Sequence, residues 1–277
     1  MANTTKIFLL IFLILSCGNP LDAQEYGNIS YGEAINISGK QRMLSQKISK
    51  AYLIRNIGYD NFVTKKEMDS CIQLFNRQLS LLLENSPDYS ITKKLQEVDK
   101  FWNNYQQHLV KIPNIITAEK IIKENSTLLK LCNDVVKQIE YSYFEKSDYI
   151  NQEKAALLDI INISGRQRML SQRVCLYYVA GLTFNKQNNE YGVHLRAIYE
   201  EFDLAVIQII MSKFNNDRVR SEIAELLFFW HNIKSLEIEL YQLKLEISDV
   251  YEITNKLTNA FESLTLAYQK IYNNLGY

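Results

Sequence analysis

The sequence predicts an all-α protein built as two tandem up-and-down four-helix bundles, and three observations carry that expectation. Proline is nearly absent: in 277 residues it occurs only as Pro20, Pro87 and Pro113, so no proline interrupts a helix beyond residue 113. Apolar residues recur at helical spacing over long segments bounded by turn-forming residues. A twelve-residue segment occurs twice, 126 positions apart, and divides the chain into halves of similar length.

The N-terminus reads as an export signal over residues 1–23. Lys6 precedes an unbroken apolar run, Ile7 to Leu15. As a helix it would span about 14 Å, half of a bilayer core and the right size for a secretory signal. Cleavage after Ala23 in Leu21-Asp22-Ala23-Gln24 would release a soluble protein. Alternatively, Ile14-Leu15-Ser16-Cys17 resembles a bacterial lipobox and would leave Cys17 as a lipidated N-terminus. Either ending places the mature chain outside the cytoplasm, periplasmic or extracellular.

Helical spacing then gives a first module over 28–147, with helices at 28–57, 63–86, 89–111 and 115–147. They are separated by Gly58, Asn85-Ser86-Pro87-Asp88 and Pro113-Asn114. A second module covers 150–275, with helices at 150–184, 190–214, 217–246 and 249–274. Its breaks fall near Asn185, Asn215-Asn216 and Ser248-Asp249. Short connections between long helices describe up-and-down bundles. Tyr141 to Lys154 contains neither proline nor glycine. Two arrangements follow: one helix running through, with the bundles end to end, or a hairpin setting them side by side.

Composition narrows the function classes. Lys plus Arg and Asp plus Glu both number 31, so no long-range field draws in nucleic acid or anionic lipid. Charge chemistry must be local. His108, His194 and His231 are isolated, outside any metal-binding pattern. Phosphate loops and nucleophile elbows are missing as well. The expectation is a non-enzymatic protein without a cofactor. Cys71, Cys132 and Cys175 form neither a disulfide framework nor a zinc site and read as small buried apolar residues.

The repeat is close to exact. Ile35-Asn36-Ile37-Ser38-Gly39-Lys40-Gln41-Arg42-Met43-Leu44-Ser45-Gln46 returns as Ile161-Asn162-Ile163-Ser164-Gly165-Arg166-Gln167-Arg168-Met169-Leu170-Ser171-Gln172, with one Lys-for-Arg exchange. Trp102 aligns with Trp230 at offset 128, and Leu128, Cys132 and Val135 align with Leu257, Phe261 and Leu264 at offset 129. The tryptophans read as core anchors. On a helical wheel, Ile37, Leu44, Ile48 and Ala51 form an apolar stripe, as do Ile163, Leu170 and Val174. Opposite lie Ser38, Gly39, Arg42, Ser45, Gln46 and Ser49, and in the second copy Ser164, Gly165, Arg168, Ser171 and Gln172.

Glycine inside a helix costs about 0.5–1 kcal/mol relative to alanine, and here it sits one turn before the same arginine in both copies. Bare backbone permits close approach of another helix or a small ligand. Arginine offers a planar fork of donors suited to oxyanions. Three readings of Arg42 and Arg168 stand side by side: an ion pair to a carboxylate on a neighbouring helix of the same bundle, ligand binding, or contact with a protein partner. Lys40, Lys47, Arg166 and Arg173 read as solvated flanks.

The motif closely resembles the signature of PilJ-type input domains, the extracytoplasmic four-helix modules of type IV pilus chemotaxis transducers, which are related to the NarX nitrate-sensor family. The resemblance extends over both modules. It implies a ligand held between paired first helices by the motif's glycine and arginine: Gly39 and Arg42, and Gly165 and Arg168. Lys40-Gln41 and Arg166-Gln167 follow the PilJ branch, so nitrate itself is not implied. Members usually continue through a second membrane helix into a signalling domain, whereas this sequence ends at Tyr277 and is expected to need a separate partner. The expected function is sensing of a small ligand, an oxyanion among the candidates, at Gly39, Arg42, Ser45, Gln46, Gly165, Arg168, Ser171 and Gln172. Expected partners are that ligand, a second copy of the chain as a homodimer, and a membrane receptor or histidine kinase, with no nucleic acid. The alternative is an unliganded scaffold whose motif faces pack bundles or protomers together.

Overall fold

A computed structural model describes residues 25–59, 61–145, 152–184 and 190–275. The signal segment and Cys17 lie outside the described residues. The fold is an all-α helical bundle. A two-residue antiparallel hairpin, β1 (Glu25–Tyr26) and β2 (Ile29–Ser30), precedes the first helix and turns at Gly27, whose φ is 63°. This hairpin takes the place of the first turn expected from residue 28. The Tyr26 hydroxyl donates to the Leu82 carbonyl, and the Asn28 amide donates to Asn85 Oδ1 at 2.8 Å, which fastens the hairpin to the next helix.

Four helices follow: α1 (Tyr31–Asn56), α2 (Asn61–Glu84), α3 (Tyr89–Leu109) and α4 (Ile115–Glu145). Ser30 caps α1 by accepting from the Glu33 amide, and Asp88 caps α3 by accepting from Ile91. The second group comprises α5 (Gln152–Phe184), α6 (Glu190–Ile210), α7 (Asp217–Ser235), the short α8 (Glu237–Tyr241) and α9 (Ile247–Asn274). Asn216 caps α7 through the Val219 amide. A single helix over 217–246 was expected. Instead α7 stops at Ser235, and Leu243 takes a left-handed φ of 55°. This bend drops Leu243 onto Gly181, where an added Cβ would stand 2.9 Å from Leu243 Cδ1. Apolar contact with α5 outweighs continuation of the helix.

α1 packs against α2 and α4, and α5 against α6 and α9, while α1 and α5 lie along each other at the centre. The two central helices run parallel. Arg42 meets Asn162, and two turns further on Lys50 and Gln172 share Asn255. α4 is antiparallel to α1, since Tyr31 pairs with Ser142 and Ser45 with Asn125. The two helix groups are therefore side by side and the end-to-end alternative is not met; the connecting residues 146–151 lie outside the described residues.

The core is continuous across both groups. Trp102 and Trp230 hold matching places in it. Trp102 lies 4.2 Å from the Phe75 ring and donates to Asn76, and Trp230 lies 4.6 Å from Phe202 and donates to Asp203. Cys71, Cys132 and Cys175 are all buried, and burial pushes their thiols up to about 11, 12 and 11. The thiolate is the reactive form. These three thiols are thus expected to resist a maleimide or disulfide reagent at pH 8 in the native protein and to react within minutes in guanidinium chloride. Rapid native labelling of any of them would contradict this packing.

Candidate ligand-binding site

Because α1 and α5 are the central helices, they are buried on nearly every side, including the face that carries the motif. Arg42 is 1% exposed and Arg168 0%. Neither guanidinium faces water. Both reach back toward the N-terminus of their own helix, as long helical side chains do. That direction brings them to the glycine turn. A Cβ added at Gly39 would stand 3.2 Å from Arg42 Nη2 and 3.5 Å from Arg168 Nη2, so bare backbone on α1 lies against both guanidinium groups. At Gly165 an added Cβ would meet Arg168 Nη2 at 2.9 Å. What approaches the glycines is arginine, rather than the backbone of a partner helix.

The contacts follow an approximate two-fold relation. Arg42 Nη2 donates across to Asn162 Oδ1 at 2.7 Å, and Arg168 Nη2 donates across to the Asn36 carbonyl at 3.3 Å. Asn36 and Asn162 hold the same motif position. Each is held in turn from the last helix of the opposite group: Asn162 donates to Glu140 on α4 at 2.8 Å, and Asn36 donates to Gln269 on α9. Ser38 and Ser164 both donate to carbonyls three residues earlier.

Two parallel helices thus present one repeated motif to each other, arginine against asparagine. Residues 29–131 match the PilJ family, described as Type IV pili methyl-accepting chemotaxis transducer N-term. The match covers α1, α2, α3 and the first half of α4, and the second occurrence of the motif falls outside it. The matched segment is thus similar to a sensor-type signal-transduction module. No curated protein and no solved structure matches the chain. Among the described residues, no helix is long and apolar enough to cross a membrane.

The remaining expected site residues of the repeated motif stand apart from the guanidinium groups. Ser45 donates to the Arg42 carbonyl, and Gln46 donates to Ser45. Ser49 faces its own group, against the Tyr105 hydroxyl and Asn125. Ser171 donates to the Gln167 carbonyl, while Gln172 donates to Asn255 and Thr258 on α9. All four of Ser45, Gln46, Ser171 and Gln172 lie C-terminal to an arginine that points the other way. The residues that do surround the guanidiniums are Asn36, Asn162, Asn133 and Glu262. The first two were visible in the repeat itself, six positions before each arginine.

The expected solvated flanks have partners. Lys40 pairs with Glu262 and Arg166 with Glu201, Lys47 lies 3.0 Å from Glu67, and Arg173 donates to the Tyr177 hydroxyl. Two turns past the arginines, Lys50 is fully buried, 3.4 Å from Glu67 and 4.3 Å from the centre of the Tyr251 ring. Burial lowers its ammonium pKa, opposed by Glu67. The second copy has Leu176 at that position, so this layer belongs to one half alone.

The two arginines differ in their partners. Arg168 ion-pairs with Glu262 of its own group and also donates to the Gly165 carbonyl. Arg42 has Asn133 Oδ1 at 3.1 Å in the corresponding place, and its Nε has no hydrogen-bond partner. Burial, helped by the Arg166 and Arg168 cations, brings its pKa down to about 10, which keeps it charged at neutral pH.

Proposed function

We propose that the chain is an exported, non-catalytic sensing protein that binds a small ligand where the motif helices α1 and α5 meet. The donor chemistry favours an oxyanion. The supporting observation is the placement of two buried guanidinium groups against Gly39, at the seam of the two helix groups. A buried cation that lacks a carboxylate carries a desolvation penalty of several kcal/mol. An anion that relieves it favours whichever helix arrangement admits the anion, so ligand binding and helix packing become one equilibrium. Arg42, beside Gly39, would make the charged contact, with Asn133 and Asn162 around it, while Gly165 and Arg168 line the same seam. Output would pass to a separate membrane receptor or histidine kinase, or to a second copy of the chain.

The test is a thermal-shift screen against nitrate, nitrite, formate, bicarbonate and small carboxylates at constant ionic strength. At least one anion is expected to raise the melting temperature by several degrees, and Arg42→Ala should remove the effect. A flat response across the panel would sink the sensing reading. One observation favours the scaffold alternative: both arginines already bridge α1 and α5 through Asn162 and Asn36. If no anion stabilises the protein and arginine substitutions only loosen the packing of the two halves, that alternative stands.

A further inference from the structure

The two halves of the seam are not equivalent in charge, and the difference lies in residues outside the repeated motif. The α4 and α9 helices align at offset 129, which pairs Asn133 with Glu262 and Glu140 with Gln269. In the second half the carboxylate occupies the position touching the arginine. Glu262 bonds Arg168 and Lys40 directly, and the relay position carries neutral Gln269, which holds Asn36. The first half reverses this order. A neutral amide, Asn133, touches Arg42, and the carboxylate Glu140 is one residue removed, reached only through Asn162. Among the described residues no carboxylate oxygen lies within ion-pair distance of Arg42.

From this exchange we infer, building on the sensing reading above, that the seam holds a single anion site: one small monovalent anion is taken at Arg42, between α1, α4 and α5, while Glu262 already fills the equivalent role at Arg168. Arg168 directs Nε, Nη1 and Nη2 to three acceptors, the Gly165 carbonyl, Glu262 and the Asn36 carbonyl. Arg42 retains an unpartnered Nε in a fully buried setting. The ligand is monovalent because one uncompensated cation is available. Nearby Arg166 and Lys40 are committed to Glu201 and Glu262. It is small because Gly39, without a side chain, lies against both guanidiniums. Glu140 is the internal competitor: burial raises its carboxyl pKa, opposed by Arg42, with Asn162, Asp159 and Lys137 as its other neighbours.

Asn133→Asp supplies the missing carboxylate at the same position and volume. The variant is expected to melt several degrees above wild type without ligand, and to bind the best anion of a nitrate, nitrite, formate and bicarbonate panel about 10- to 100-fold more weakly by calorimetric titration. Asn133→Ala, which adds no charge, should keep affinity within a few-fold. Glu140→Gln should tighten binding several-fold by removing the competitor. If Asn133→Asp binds the anion as wild type does, or melts no higher without it, the inference falls even though sensing may hold for the wild type. If no anion in the panel binds wild type, the sensing reading itself falls and this site with it. Wild-type titration should give one anion per chain; two would show that Arg168 is also open and would overturn the single-site assignment.

Discussion

Glu262→Ala is expected to destabilise the protein by about 3–5 kcal/mol, the usual consequence of removing one partner from a buried ion pair. Its loss would leave Arg168, which has no exposed surface, without a counter-charge, and would release Lys40 as well. The measurement is urea unfolding followed by far-ultraviolet circular dichroism. Burial alone would raise the Glu262 carboxyl pKa, but Arg168 and Lys40 together outweigh it and hold it below its ordinary 4.5. A depressed carboxyl contributes stability that is present above its unfolded value and disappears as pH falls through the folded one. The gap between variant and wild type should thus be constant at neutral pH and narrow below about 4.5. Arg42→Met provides the contrast. It removes a buried cation that lacks a direct carboxylate, and replacement by an apolar chain of similar length should be close to neutral or stabilising. Equal losses in both variants would mean that the two halves carry the same charge balance after all.

The two motif glycines should also respond unequally. Gly39→Ala places its methyl 3.2 Å from the end of Arg42, a flexible group held by neutral amides, so the side chain can yield. The gain in helix propensity, about 0.5–1 kcal/mol, then makes the variant neutral or slightly more stable. Gly165→Ala places the methyl 2.9 Å from Arg168 Nη2, a group pinned by Glu262 and two carbonyls. Overpacking there is expected to cost about 1–3 kcal/mol. Leucine at either position should preserve helix content, because it is a good helix former. It should nevertheless force the guanidiniums apart and abolish any anion-dependent rise in melting temperature. Thermal melts of the four variants, with and without anion, check both statements. An anion response retained in both leucine variants would show that the glycine turn takes no part in binding.

Most of the fold was legible because helix breaks and apolar spacing are local properties. Pro87, Pro113 and the Asn215-Asn216 pair mark breaks that the structure keeps. What was not legible depends on contacts distant in sequence. The left-handed turn at Leu243, whose side chain sits on Gly181 sixty-two residues away, has no local signal to announce it. Of the expected site residues, the structure brings glycine and arginine together and places Ser45 and Gln46 elsewhere. A helical wheel has no axial direction, so it groups Ser45 and Gln46 with a side chain that points toward the helix N-terminus. Applying the N-terminal tilt of helical side chains would have selected Asn36 and Asn162 instead. Asn133 and Glu262 lie on helices whose alignment becomes meaningful only once α4 and α9 are seen to flank the same seam.

Subunits of a symmetric homodimer share one sequence, so a substitution on one side of their common axis appears on the other as well. With α1 and α5 joined in a single polypeptide, that obligation disappears. One face of the seam can carry a direct carboxylate and hold the assembly together while its counterpart keeps a buried arginine among neutral amides. The tether also removes dilution as a variable, because the two faces meet at a fixed effective concentration however scarce the protein is.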